Sequence, residues 1–236
     1  MKTVGFKDGS RSRTAMQWVV NNTDTIFRLT LEHIWLSAIP IVLGGLLAVP
    51  IGWLAHRFPR ARGSVLSAVG ILYTIPSLAL FVLLPPLLGL PFLSPANVII
   101  ALVIYAVAIM ARNVADAFAS LDPATLRAAT AVGFGPWQRF FRVELPLAGP
   151  VLLAGLRVVA VSTVSLVTVG VLVGVQSLGY FFTDGFQRRI DEEILTGIVM
   201  TVAVAALFDG LLVLLGRLTM PWAALATAPM REEARA

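Results

Sequence analysis

The sequence predicts an all-α integral membrane protein of about five transmembrane helices, with a cytoplasmic helix–Gly–helix loop between the third and fourth. Three observations predict it. Of the 236 residues, 58% are apolar and 13% charged, with a mean hydropathy of +0.86, too apolar for the chain to be coated by its own polar side chains. The apolar residues fall in long blocks rather than amphipathic stripes, so lipid is part of the solvent. The blocks are separated by Gly, Pro and Arg, which punctuate one bundle and leave no room for a large soluble domain.

A helix needs roughly 20 apolar residues to cross about 30 Å of hydrocarbon, since every backbone polar group must be satisfied within the segment. The first span is placed at about Ile34 to Ala55, ahead of His56-Arg57. It follows a polar or amphipathic N-terminal tail, residues 1–33, whose charges from Lys2 to Glu32 argue against a cleaved signal sequence. Gly63 to Ala111 carries no charge and is broken by Pro85, Pro86, Gly89, Pro91 and Pro95, which predicts two spans: Val65 to Leu84, bent at Pro76, and Ala96 to Ala117. Arg112 and Asp116 are four apart and share a helix face, so they are expected to pair. The fourth span is Leu147 to Val175 and the fifth Ile194 to Arg217, within a transmembrane domain of residues 34–220. A short C-terminal tail, 221–236, follows.

Arg57, Arg60 and Arg62 follow span one, Arg112, Arg127, Arg139 and Arg142 follow span three, and Arg217, Arg231 and Arg235 follow span five. Basic residues stay cytoplasmic, which puts the long polar loop between spans three and four inside the cell. The tail residues Lys2, Lys7, Arg11, Arg13 and Arg28 vote for the opposite orientation, so an amphipathic helix around Met16 to Leu31 stays open as an alternative.

Within that loop, Asp122-Pro123 is a helix start: Asp accepts backbone N–H bonds as an N-cap, and Pro is tolerated in the first turn. Gly133 suits a left-handed C-terminal cap, and Gly135-Pro136 restarts a second short helix through about Arg142.

Residues 127 to 146 read RAATAVGFGPWQRFFRVELP. This resembles the coupling loop of importer permeases in the ATP-binding-cassette superfamily, whose motif is Glu-Ala-Ala, three residues, Gly, nine residues, Ile-x-Leu-Pro. Ala128, Ala129, Gly133, Leu145 and Pro146 match, and Val143 replaces Ile. Arg127 stands where the family usually has Glu, which alters the salt bridge or cap an acid would make there. The stretches YTIPSLALFVLLPPLLG, IMARN, LPLAGPVLLAGLR and GVQSLGYFFTDGFQ are similar to permeases for glycine betaine, carnitine and choline, of the fold shared with the methionine importer permease. The resemblance implies a non-catalytic subunit in the plasma or inner membrane. Its coupling loop, residues 122–146, docks into partner ATPase subunits that bind ATP and Mg, with Arg127, Ala128, Ala129, Gly133, Val143, Leu145 and Pro146 as the docking residues. A second permease copy or paralogue, an extracytoplasmic solute-binding protein and the bilayer complete the expected partners. Consistent with borrowed energy, the chain has no GxxxxGK[ST] phosphate loop. Methionine or another small solute remains a rival cargo, and a stand-alone secondary transporter or channel a rival class.

Arg157 in span four and Asp209 in span five lie at similar depth, roughly 12 to 15 Å from the cytoplasmic end at 1.5 Å per residue. A charge alone in lipid is costly, so an intramembrane ion pair is expected, with a gating role as the alternative. Gly170-x-x-x-Gly174 is a candidate close-packing face. Trp18, Trp35, Trp53 and Trp222 read as interfacial anchors, Tyr73 and Tyr105 as packed within the bundle, and His33 and His56 as boundary residues too far apart to share a metal. The basic residues lie singly between apolar blocks, which excludes a nucleic-acid tract. There is no HExxH, no GxSxG and no cysteine, so no catalytic residue or metal site is expected.

Overall fold

The computed structural model describes residues 17–222, and among these every regular element is helical. The basic residues Lys2, Lys7, Arg11 and Arg13 of the expected N-terminal tail, and Arg231 and Arg235 of the expected C-terminal tail, lie outside the described residues. A first turn, α1 (residues 17–21), precedes α2 (Thr23–Arg57). At 35 residues α2 is about 50 Å long. It starts well before Ile34, and residues 23–33, expected to be tail, are the first part of this helix.

α3 (Pro59–Thr74) and α4 (Ser77–Leu88) take the place of a single bent second span. Pro76 has no N–H and disfavours helical backbone at Ile75, so the helix stops rather than bends. α4 then runs through Pro85 and Pro86, which the sequence reading took as its end. It stops at Gly89, whose φ of 68° allows the N–H groups of Gly89 and Leu90 to reach the Pro85 carbonyl.

α5 (Pro95–Ala119) is the third expected span. Short α6 (Pro123–Ala131) and α7 (Pro136–Arg139) follow. A π-turn, Phe140–Glu144, joins α7 without a break to α8 (Leu145–Val167), which tightens into a 3₁₀ turn, Thr168–Val173. The expected second short helix therefore does not end near Arg142; it is the first part of the fourth span. Next come α9 (Tyr180–Arg188) and α10 (Asp191–Thr219). Four of these helical runs are long and apolar enough to cross a membrane, and the α3–α4 pair supplies a fifth if it counts as one span.

The chain divides into two compact units, and α2, α5, α8 and α10 each contribute residues to both. In the first unit (residues 1–40, 75–102 and 162–206), Leu29, Leu36, Phe81, Leu102, Leu178 and Phe181 are fully buried. His33 is buried there too, its Nε2 3.0 Å from the Val164 carbonyl oxygen, so it is a core residue and not a boundary one. The Asn97 amide donates to the carbonyls of Pro91 and Phe92 and ties down the loop ahead of α5. Gly170 packs on Val98, and Gly174 ends the 3₁₀ turn at φ 82°. The expected GxxxG face is thus absent, because these glycines do not lie on an α-helical surface.

The close-packing face lies in the second unit (residues 41–74, 103–161 and 207–236), on α2. A Cβ on Gly44 would lie 2.2 Å from the Ala106 Cβ, and one on Gly52 would lie 2.5 Å from the Ala111 carbonyl oxygen. Ala48, between them at the same four-residue spacing, is fully buried in the core with Ala106, Met110, Val114 and Phe118. Small residues here let the backbones of α2 and α5 touch.

Candidate functional site

The second unit carries the loop from Asp122 to Pro146. The Asp122 carboxylate accepts from the Ala124 N–H at 2.8 Å, and Pro123 opens α6, so local chemistry alone starts this helix. No residue of α6 is buried. Arg127 and Ala128 are exposed, and Ala129 is half-buried. Gly133 turns the chain at φ 97°, in the left-handed region, and Gly135 starts α7. Val143 lies in the π-turn, and Leu145 packs against the core of the unit, with Pro146 half-buried behind it.

The loop is braced by residues the sequence reading did not single out. Arg139 donates from Nε to Glu144 at 2.7 Å and from Nη1 to the Thr130 hydroxyl at 3.1 Å, so one guanidinium ties α6 to the π-turn. The Trp53 indole N–H makes a longer contact, 3.5 Å, to the other oxygen of the buried Glu144. Trp53 stacks on Trp137 and meets Phe140 edge-on, and Phe140 in turn stacks on Phe118. Trp53 therefore fixes the end of α2 to the loop instead of standing alone as an interfacial anchor. Arg139 and Glu144 are five apart, a spacing that points to different faces of an α-helix but to one face where the turn widens to i→i+5. The signal available in the sequence was Glu144 itself, the lone acid between Asp122 and Asp184.

Elsewhere in the same unit Arg157 and Asp209 form a two-bond pair, Nε to Oδ1 at 2.6 Å and Nη2 to Oδ2 at 2.7 Å. Asp116, by contrast, pairs with Arg62 at 2.9 Å and not with Arg112. Tyr73 meets Tyr105 edge-on at 6.0 Å. No group of three or more His, Cys, Asp or Glu suited to a metal occurs among the described residues.

A family description, binding-protein-dependent transport system inner membrane component, matches residues 31–221. The chain belongs to this family. It is therefore a multi-pass inner-membrane component of an ATP-binding-cassette transport system. Over 206 residues this permease is 31% identical to the choline transport system permease protein OpuBB of Bacillus subtilis, covering 87% of this chain and 94% of the relative. It is 30% identical to the glycine betaine/carnitine/choline transport system permease protein OpuCB of the same organism, with the same coverage of both chains. The permease also superposes on a chain of an inward-facing crystal structure of the MetNI methionine ABC transporter with a TM-score of 0.71. There the identity is 22%, over 86% of this chain and 96% of that one.

Proposed function

We propose that this permease is the non-catalytic translocation subunit of an importer for quaternary ammonium osmoprotectants such as glycine betaine, choline and carnitine. In this reading residues 122 to 146 dock on the cytoplasmic side into a partner ATPase that binds ATP and Mg. A second copy or paralogue of the permease and an extracytoplasmic binding protein complete the assembly.

The observation that carries the docking role is α6 itself, with no buried residue along its length yet held by Arg139 and followed by the left-handed Gly133. A peg that transmits force must be rigid and accessible together. The cargo rests on the relatives, which are named for choline, glycine betaine and carnitine. Similarity to the methionine importer, at 22% identity, speaks to fold alone.

Uptake of labelled glycine betaine, choline and carnitine by cells carrying the complete system tests both parts. ATP-dependent uptake of one of them, lost in Gly133→Trp, is the expected outcome. Loop-dependent transport of none would discard the cargo. Transport indifferent to the loop would leave the stand-alone carrier.

A further inference from the structure

We infer that the groove between Arg127 and Arg139 receives an acidic side chain of the partner ATPase, so that the charge at this contact is reversed relative to the acid the coupling motif usually carries. The inference rests on the docking reading above and specifies its chemistry.

The groove is open, about 390 Å³, and lined by Leu126, Arg127, Thr130, Ala131 and Arg139. It holds two guanidinium groups and no carboxylate. Arg127 makes no hydrogen bond or ion pair to any other described residue, and Arg139 spends Nε and Nη1 on Glu144 and Thr130, leaving Nη2 over. Among the described residues the unit offers Arg127 no internal counter-ion. Its carboxylates among the described residues are Asp116, Asp122, Glu144 and Asp209, and each is engaged: by Arg62, by the α6 N-terminus, by Arg139 and by Arg157.

The Arg139 charge is met by Glu144 while that of Arg127 is not, so a carboxylate arriving in the groove would pair with Arg127 and accept a further hydrogen bond from the remaining Nη2 of Arg139. Leu126, Ala131 and the Ala128–Ala129 pair bring apolar, low-relief surface alongside, which suits a protein side chain arriving on a short stem. Val132 and Trp137, 80% and 69% exposed, flank it with apolar area that a protein surface would cover. A carboxylate of the ATPase is the occupant to which these features point.

The test measures association of the ATPase with the full permease in nanodiscs, for wild type, Arg127→Lys, Arg127→Ala, Arg127→Glu and Gly133→Trp. Arg127 is exposed and unpaired, so these changes leave folding intact. Arg127→Glu is expected to weaken association about tenfold or more, and Arg127→Lys only a few-fold, since it keeps the charge but loses the fork. Rising salt is expected to narrow the difference. Replacing the acid that faces Arg127 on the ATPase, located by cross-linking, with arginine is expected to restore binding to Arg127→Glu. Association unchanged in Arg127→Glu but lost in Gly133→Trp would overturn the charge inference and keep the docking. Association unchanged in both would sink the docking reading itself. If Arg127→Glu alters only the response to anionic lipid in the nanodisc, with ATPase binding intact, the groove faces headgroups and the inference fails.

Discussion

At Gly133 conformation and not space is the constraint. A Cβ there would meet nothing within 4 Å, yet φ is 97°, where an ordinary side chain costs about 1–2 kcal/mol. Transport rates should therefore fall in the order Gly133, Gly133→Asn, Gly133→Ala, because Asn tolerates left-handed backbone better than Ala. An initial-rate uptake assay at equal membrane expression decides it, and equal rates for Asn and Ala would remove backbone strain as the cause. The Arg157–Asp209 pair makes a different kind of prediction. Removing one partner strands a charge against apolar surroundings, whereas removing both does not. Arg157→Leu should lower yield and thermal stability in detergent more than the double change Arg157→Leu with Asp209→Leu. A double variant worse than either single one would show that the pair contributes more than mutual neutralisation. Caps of this sort are legible in sequence because Asp122, Pro123 and Gly133 act on their own neighbours. Partner choice is not: Asp116 had Arg112 one turn away and took Arg62 from another element.

Between elements, α2 and α5 approach each other closely. Gly44→Val should lower the midpoint of thermal unfolding, since overpacking a contact this tight costs about 1–3 kcal/mol. Gly70→Ala, where an added Cβ meets nothing within 4 Å, should be neutral or slightly stabilising in the same melt. Similar losses at both sites would mean that helix flexibility and not the crossing is what the glycines serve. The row Gly44, Ala48, Gly52 was in plain sight in the sequence, but so was Gly170-x-x-x-Gly174, and spacing cannot tell which row faces a neighbouring helix. The brace at Arg139 was illegible for another reason. Its partner lies five residues away, which only the π-turn brings round, and a widened turn leaves no mark in composition. Arg139→Ala should free α6 from that turn, raising amide exchange across residues 124 to 132 while leaving α5 and α8 protected. Unchanged exchange in α6 would mean that the aromatic stack holds the loop without the ion pair.

For the whole molecule, composition and block length made the membrane bundle readable, because lipid imposes the same demand on every span. The second span was the exception, since Pro76 permits a bend or a break and local sequence does not choose. The proposed cargo is not written in any one residue and rests on likeness over 206 residues to relatives named for it. Of the four long helical runs α10 is the least enclosed: 6% of its most apolar window is buried within the chain, with Leu195, Val199, Val202 and Leu218 exposed. That face needs lipid or another permease against it. If a second permease covers it, native mass measurement of the assembled complex should find two permease chains per particle, and a single permease per particle would assign the face to lipid alone. The stacked indoles of Trp53 and Trp137 have an optical consequence. The chain has five tryptophans, and these two sit at the root of the peg while Trp18, Trp35 and Trp222 lie elsewhere in the sequence. With those three changed to phenylalanine, the remaining emission would come from the peg alone, turning the permease into its own label-free reporter of the moment an ATPase takes hold.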